Sequence, residues 1–523
     1  MIEGLGVESS ATMAQPAASG KGALLGGDGG LTAAGLALLL ALHVLVWTLA
    51  ATIAQSSGSL HHDMTEAYDW GREFQLGYHK HPPLFAWMAG AWFLVFPRTQ
   101  WAFYLLSAVS AAGGLLGVWA LAGRLMPARE QTAALLLVML TPFFSVLAMT
   151  FNANAVLLLT WPWTIWAFLR SIQTVRLADG VLFGVMAGLA LLSKYSSILL
   201  LASCLAAALL HPRRREYFAG LAPYAAIVAC AVVCAPHAVW ALGHRLTTVT
   251  YVLDKPHIPI GALFGTALSS LLGALAMFAL PQAASIAVTG WNGALRQSRA
   301  ALVAAIDPKM AWLSVLAIGP LLLTLIAGLA TGVKVSTNYF LPALFLIPVA
   351  SMAFGNPLIE GAPLGRFWQF LAGWLAVGLL ASPFVCINEF SRHSAQAMEP
   401  RREVAIEATR FWHESTGRNL RIISGTDAYG LGAPFYSPDA PSFYLPLTPL
   451  ATPWVSADDI ARYGQLIICE HSDNSCLAAA RKLVKPALAP RQMRVSHQFF
   501  GWSAPPVDFD VFAIAPAASQ NTN

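Results

Sequence analysis

The chain has 523 residues, of which 57% are hydrophobic and 11% charged, less than half the roughly 25% charged content of a soluble globular domain. Repeated uncharged runs of about 20 residues, each long enough to cross a hydrocarbon core of about 30 Å as a helix, exclude a soluble enzyme and a β-barrel. A net charge of +5, spread along the chain without a basic stripe, excludes nucleic acid as a partner and leaves lipids and small molecules.

In chain order, residues 1–30 are rich in Gly, Ala and Ser without periodicity and read as a disordered N-terminal tail. The run 31–54 lacks Asp, Glu, Lys and Arg for 24 residues, longer than a signal-peptide core of roughly 7–15 residues, so it is a first membrane span. Further spans are expected near 99–123, 131–149, 153–169, 178–193, 196–211, 217–242, 262–288, 310–330, 338–354 and 367–387, about eleven in all. Beyond them the composition changes: residues 389–523 hold 25 of the 57 charges. The chain therefore divides into a membrane domain, 31–388, and a soluble domain, 389–523, large enough for its own core. In the latter, helix-like and strand-like segments alternate (EPRREVAIEATRFWHE, LRIISGT, GQLIICE, CLAAARKLVKP, VSHQFFGW, FDVFAIAP), which predicts a small α/β domain. Cys469 and Cys476 within it are a disulfide or a free pair according to whether that side is oxidising.

Basic residues fix an orientation, because short cytoplasmic loops are enriched in Lys and Arg. One set of connections carries Arg124, Arg129, Arg170, Arg176, Arg213, Arg214, Arg215, Arg296, Arg299, Lys309 and Arg366; the other, apart from the long first loop, carries only Lys194, Arg245, Lys255 and Lys334. The N-terminus is then cytoplasmic, and with an odd number of spans the soluble domain faces outward. In a bacterium that places the chain in the inner membrane and the domain in the periplasm.

Titratable groups concentrate in the first outward loop, 55–98. His61, His62, Asp63, Glu66, Asp69, Arg72, Glu73, His79, Lys80 and His81 fall within 21 of its positions, and the segment 64–76 between them has a helical composition that Gly77 should stop. Pro82 and Pro83 follow, then an aromatic stretch, Leu84 to Phe96, suited to the headgroup plane. One reading is a solvated loop whose charges keep it in water; the other is a reactive site. Lys194 favours the second, because its turn (SKYSS) is too short for an ordinary solvated loop. With Arg245, Lys255 and Lys334 it gathers cations on the outer face, which suits a lipid phosphate, although each alone also reads as a snorkelling helix-end residue. His79 and His81 form a usable metal pair, yet no zinc-type spacing accompanies them. A divalent metal ranks below acid/base or phosphate contact.

The order HHDMTEAYDW, HKHPPLFAW, FNANAVLLLTWPW, LLSKYS and NYFLPALFLIP resembles the polyprenyl-phosphate-sugar glycosyltransferases of GT-C fold, the protein O-mannosyltransferase and aminoarabinose transferase relatives, and within them the bacterial galacturonosyltransferases acting on lipid A and LPS core. The resemblance spans roughly residues 31–354. It implies that Asp63 is the catalytic carboxylate and that Lys194, His81 and the adjacent Lys80 contact the donor phosphate; Glu66, the nearest acid, is expected to help Asp63 as the general base. Arg245, Lys255, Lys334 and Tyr195 join the expected phosphate pocket, and His62, Asn152, Asn154 and Tyr339 its surroundings. Two departures stand out: relatives carry Asp-Glu where this chain has Asp63 and Met64, and a second Asp where it has Asn154. The implied partners are a polyprenyl-phosphate-linked sugar and lipid A, LPS core or another envelope acceptor, with no cofactor. A transporter or flippase of lipid-linked sugar is the rival reading, but no repeat relates the two halves. A sensor built around the outer domain would leave the first loop unexplained.

Overall fold

The structure is a computed structural model that describes residues 24–26, 29–253, 257–354, 364–446, 448–484 and 489–516. Lys255 and most of the expected N-terminal tail lie outside the described residues. Residues 29–32 already pack on the bundle, with the Leu31 N–H donating to Thr132.

The membrane half is a helical bundle. Its first eight helices are α1 (Ala33–Ala54), α2 (His62–Glu73), α3 (Leu84–Phe93), α4 (Gln100–Ala122), α5 (Ala128–Met139), α6 (Ala153–Thr174), α7 (Leu177–Ser193) and α8 (Ser197–Leu210). Among the described residues six helices are long and apolar enough to cross a membrane: α1, α4, α6, Ala222–Gly243, Ala311–Thr331 and Leu364–Ser391. Two further stretches are bent pairs, and α7, α8 and Leu341–Ala353 are shorter apolar helices. Two expected spans thus prove discontinuous. The stretch 131–149 bends by 79° after α5, where Pro142 lacks an N–H and Thr141 before it is extended. The stretch 262–288 bends by 40°, and its second helix, Ala279–Ile306, runs on through a kink at Gly290, carrying Arg296 and Arg299 on a helix rather than in a loop.

Small residues let these helices approach closely, as in other membrane bundles. On α7 the glycines 180, 184 and 188 recur every fourth residue and face Ala222–Gly243. A Cβ on Gly180 would lie 2.2 Å from the Ala222 carbonyl oxygen, and one on Gly184 the same distance from that of Ala226.

Among the described residues the soluble domain carries seven strands: β1 (Ile422–Gly425), β2 (Ser442–Phe443), β3 (Gln465–Glu470), β4 (Arg491–Val495), β5 (Gln498–Phe499), β6 (Trp502–Ser503) and β7 (Val507–Ile514). Five form a mixed sheet in the order β2-β1-β3-β7-β4, and β5 and β6 form a separate hairpin. The helix Arg401–Thr416 covers one face through Val404, Ala408 and Trp412. The helix Asn474–Leu483 covers the other, and a Cys469–Cys476 disulfide ties it to β3.

This domain and the first loop lie on the same side of the bundle and are hydrogen-bonded together. Arg401, 6% exposed, donates to the Leu60 carbonyl at 3.0 Å. The Tyr436 hydroxyl accepts from the Leu60 N–H at 2.7 Å and from Gln100 at 2.9 Å. The Arg98 guanidinium donates to the Pro434 carbonyl at 2.9 Å.

Candidate active site

Helix α2 starts where His61 accepts the Asp63 N–H on Nδ1, 3.2 Å away. Asp63 in its first turn and Arg72 in its last suit the helix dipole. It runs from 62 to 73, not 64 to 76. Phe74 ends it in a left-handed conformation (φ 43°). Gly77, the expected stop, instead permits contact with the next helices, since a Cβ there would meet the Trp240 ring at 2.3 Å. Helix α3 packs on α2 through a second glycine contact, a Cβ on Gly71 lying 2.4 Å from the Ala86 carbonyl oxygen.

The acidic residues of α2 part company. Asp69, fully buried, and Glu73 face the soluble domain, accepting from the Phe443 N–H at 3.3 Å and the Ser442 hydroxyl at 2.9 Å. Burial, reinforced by the neighbouring Glu73, pushes the Asp69 carboxyl well above the usual range. Asp63 and Glu66 face the bundle. There they line a small pocket of about 30 Å³ together with His81, Phe85, Asn152, Ala153, Asn154 and Lys194.

Two asparagines organise this pocket. Asn152 is the N-cap of α6: its side-chain oxygen accepts from the N–H groups of Asn154 (2.9 Å) and Ala155 (3.0 Å), which leaves its NH₂ to donate to Asp63 at 2.9 Å. Asn154 accepts from the Lys194 ammonium at 2.6 Å. Lys194 caps the C-terminal end of α7, just before the short turn into α8, and its charge lies 5.2 Å from the centre of the Tyr339 ring. A carboxylate and an ammonium therefore face one small space, each oriented by a neutral amide from the same helix start.

Electrostatics sharpens the division. Burial works to raise the Asp63 carboxyl, but His62, His61 and the Asn152 amide together hold it well below the ordinary range. His61 and His62 each stand 3.9 Å from it. Burial pushes Glu66 upward against the attraction of Lys80, whose ammonium donates to it at 2.6 Å. Lys80 in turn is raised, since Glu66 outweighs the cost of its burial. His79, half-buried beside Trp70, has its pKa lowered to about 4, desolvation being the main cause and Lys80 the next.

Of the expected site residues, Asp63, Glu66, His81, Asn152, Asn154 and Lys194 meet around the pocket, with Lys80 behind Glu66, His62 beside Asp63 and Tyr339 under Lys194. Arg245 and Lys334 are exposed and do not line it. Arg245 sits in a left-handed turn (φ 55°) after the helix Ala222–Gly243. Tyr195 points elsewhere, its hydroxyl 2.6 Å from His237 Nε2, while His237 Nδ1 meets the Leu76 carbonyl at 2.8 Å. Sequence reasoning missed His237 and the Phe85 wall; an imidazole inside an apolar span was the available signal for the first. Among the described residues no three His, Cys, Asp or Glu side chains are placed to hold a metal ion. His79 and His81 diverge in their surroundings, only the latter reaching the pocket.

Residues 80–240 match the family model of the dolichyl-phosphate-mannose-protein mannosyltransferases. No curated protein matches the chain in sequence. Among solved structures it is similar to ArnT from Cupriavidus metallidurans bound to undecaprenyl phosphate, at 14% identity and a TM-score of 0.59, the match covering 94% of this chain and 99% of that one. It is likewise similar to the same organism's ArnT in the apo state, at 15% identity and a TM-score of 0.59, covering 92% and 98%. The chain accordingly has the GT-C fold, with the soluble domain included in the likeness.

Proposed function

We propose that the protein is a membrane glycosyltransferase that moves a sugar from a polyprenyl-phosphate donor to a lipid or envelope-glycan acceptor. The observation that carries this reading is the pocket in which ionised Asp63 and the Lys194 ammonium face one space, held by Asn152 and Asn154. The mannosyltransferase pattern over 80–240 and the likeness to a protein that binds undecaprenyl phosphate support it.

In the proposed reaction an acceptor hydroxyl attacks the anomeric carbon, its proton passing to Asp63 as the new C–O bond forms. The bond from that carbon to the phosphate oxygen breaks, and the lipid phosphate leaves with the electron pair. Lys194, with His81 and the Glu66-anchored Lys80 nearby, supplies positive charge that offsets the negative charge the phosphate gains as it leaves. One displacement inverts the anomeric centre. No cofactor enters this scheme. The finer reading is that the acceptor is lipid A or LPS core and the sugar galacturonic acid. The site would lie on the outer face of a bacterial inner membrane, an orientation supported by the distribution of basic residues and by a disulfide suited to an oxidising compartment.

The test is purified protein with a polyprenyl-phosphate sugar and a lipid acceptor, following the sugar by mass spectrometry. Transfer with inversion supports the reading. Movement of labelled donor across vesicles with no new glycosidic bond would establish the transporter instead.

A further inference from the structure

The soluble domain is the charge-rich part of the chain, yet residues 498–507 (QFFGWSAPPV) carry no charge. They include the β5–β6 hairpin, which pairs Phe499 with Trp502 across a two-residue turn made by Phe500 and Gly501. Both turn residues have positive φ, 46° and 84°, as in a type I′ turn, where Asn-Gly and Asp-Gly are preferred and a bulky first residue is strained. An aromatic side chain thus stands where the backbone favours Asn. The fold gains little from it in return. Phe500 is 90% exposed and Trp502 beside it 53% exposed, and the Phe500 ring packs only its edge against Phe499, 4.7 Å away.

The position of the hairpin along the bundle identifies what meets this tip. It packs on Phe390 in the last turn of the membrane helix Leu364–Ser391, whose ring lies 5.4 Å from that of Phe499 and 6.0 Å from that of Trp502. That helix has 28 residues, a length of about 42 Å, which matches a bilayer with its headgroup layers, about 40–45 Å. Its end therefore falls in the headgroup layer on the soluble domain's side. Leu380, Phe384 and Ile387 of the same helix are exposed, as lipid-facing residues are, and Phe390 follows Ile387 by less than one turn. The base of the hairpin is fixed at the same level. His497 meets the carbonyl of Ser57, just past the end of α1, and the neighbouring Ser56 hydroxyl lies 3.3 Å from the sulfur of Cys386, one turn before Phe390.

We propose that the β5–β6 hairpin is a membrane anchor: Phe500 and Trp502 enter the headgroup layer beside the end of Leu364–Ser391 and contact phospholipid there. The exposed apolar surface of the helix continues onto the hairpin, and aromatic rings favour the boundary between hydrocarbon and water. The soluble domain is thereby held at a fixed height over the first loop.

The experiment uses the full chain in nanodiscs of phosphatidylethanolamine and phosphatidylglycerol, with p-benzoylphenylalanine in place of Phe500 or, as a control on the exposed surface of the soluble domain, of Tyr463. After irradiation, mass spectrometry should find phospholipid adducts about tenfold more often at 500 than at 463, as for a side chain that prefers the interface by one tenfold step in partition. Equal yields at the two positions, or a cross-link from 500 to a second copy of the chain instead of lipid, overturns the anchor. Phe500→Asn distinguishes an anchor from a residue that serves the fold alone. Asn suits the left-handed backbone, so this variant should melt in detergent at or above the wild-type temperature. In nanodiscs its amide hydrogens at 497–504 should nonetheless exchange about fivefold faster than in wild type, because the tip is no longer held among headgroups. Phe500→Trp, which keeps an interfacial aromatic, should exchange as wild type does. A lower melting temperature for Phe500→Asn in detergent, or exchange in nanodiscs as slow as in wild type, overturns the proposal.

Discussion

Asn152 donates to Asp63 at 2.9 Å with the nitrogen of an amide whose oxygen is engaged in capping α6. The cap fixes which end of the amide faces the carboxylate, so Asp63 receives a donor rather than an acceptor. Asn152→Ala should cost about 1 kcal/mol of helix capping and release Asp63, lowering kcat about tenfold with little change in donor KM. Asn152→Asp keeps a capping oxygen but sets a like charge against Asp63, raising its pKa. Its pH–rate profile should gain an acid limb at higher pH than wild type, as read from initial rates across pH.

Asp63→Asn preserves size and removes the proton acceptor. Transfer should fall by about 10²-fold or more while donor binding and membrane insertion stay normal. The wild-type acid limb should not lie in the neutral range, since Asp63 is held ionised well below ordinary carboxylate values. Near-normal turnover by the variant would shift the base to Glu66, which sits in the same pocket.

Lys194→Ala removes the ammonium that Asn154 orients. Donor binding and turnover should both decline, because the charge acts on the phosphate as it binds and as it leaves. Lys194→Arg should lose less, retaining charge with a different shape. Donor titration and single-turnover rates separate the two effects.

His497 links the soluble domain to the first loop, with Nδ1 2.8 Å from Glu403 and Nε2 2.9 Å from the Ser57 carbonyl. The Glu403 hydrogen bond outweighs burial and raises its pKa above the usual 6.5. A raised pKa means that the stabilisation is fully present below about 6.5 and fades as pH rises through the folded value. Between about pH 6 and pH 8.5 the melting temperature of wild type should drop more than that of His497→Gln. Parallel slopes for the two proteins would show that the contact carries no protonation-linked stability.

The pocket's charged residues were legible because charge is rare in this chain: a carboxylate among histidines and a lysine in a three-residue turn stand out against apolar runs. Their lateral arrangement was not legible. Arg245 and Lys334 share Lys194's side of the bundle in the sequence pattern, yet the pattern says nothing about where around the bundle a helix end falls, and both are exposed away from the pocket. The break at Pro142 was readable from the imino acid alone; the expectation of a straight span gave hydropathy more weight than the missing N–H. Strand β4 (RQMRV) escaped because it is an exposed edge strand with two arginines, so no apolar alternation marks it. Asn152 could be named from its motif, but its grip on Asp63, 89 residues away, is a product of packing.

The polar contacts that secure α2 have a consequence for how the protein is made. Arg72 donates to the Pro441 carbonyl, Glu73 accepts from Ser442 and Asp69 from Phe443, each across about 370 residues of sequence. Ribosomal synthesis delivers α2 early, long before its partners 441–443 exist. During that interval Asp69 and Glu73 lack the partners that the soluble domain later supplies. A nascent chain arrested in the membrane half would thus hold every pocket residue yet have no partner for the rear face of the helix that bears Asp63.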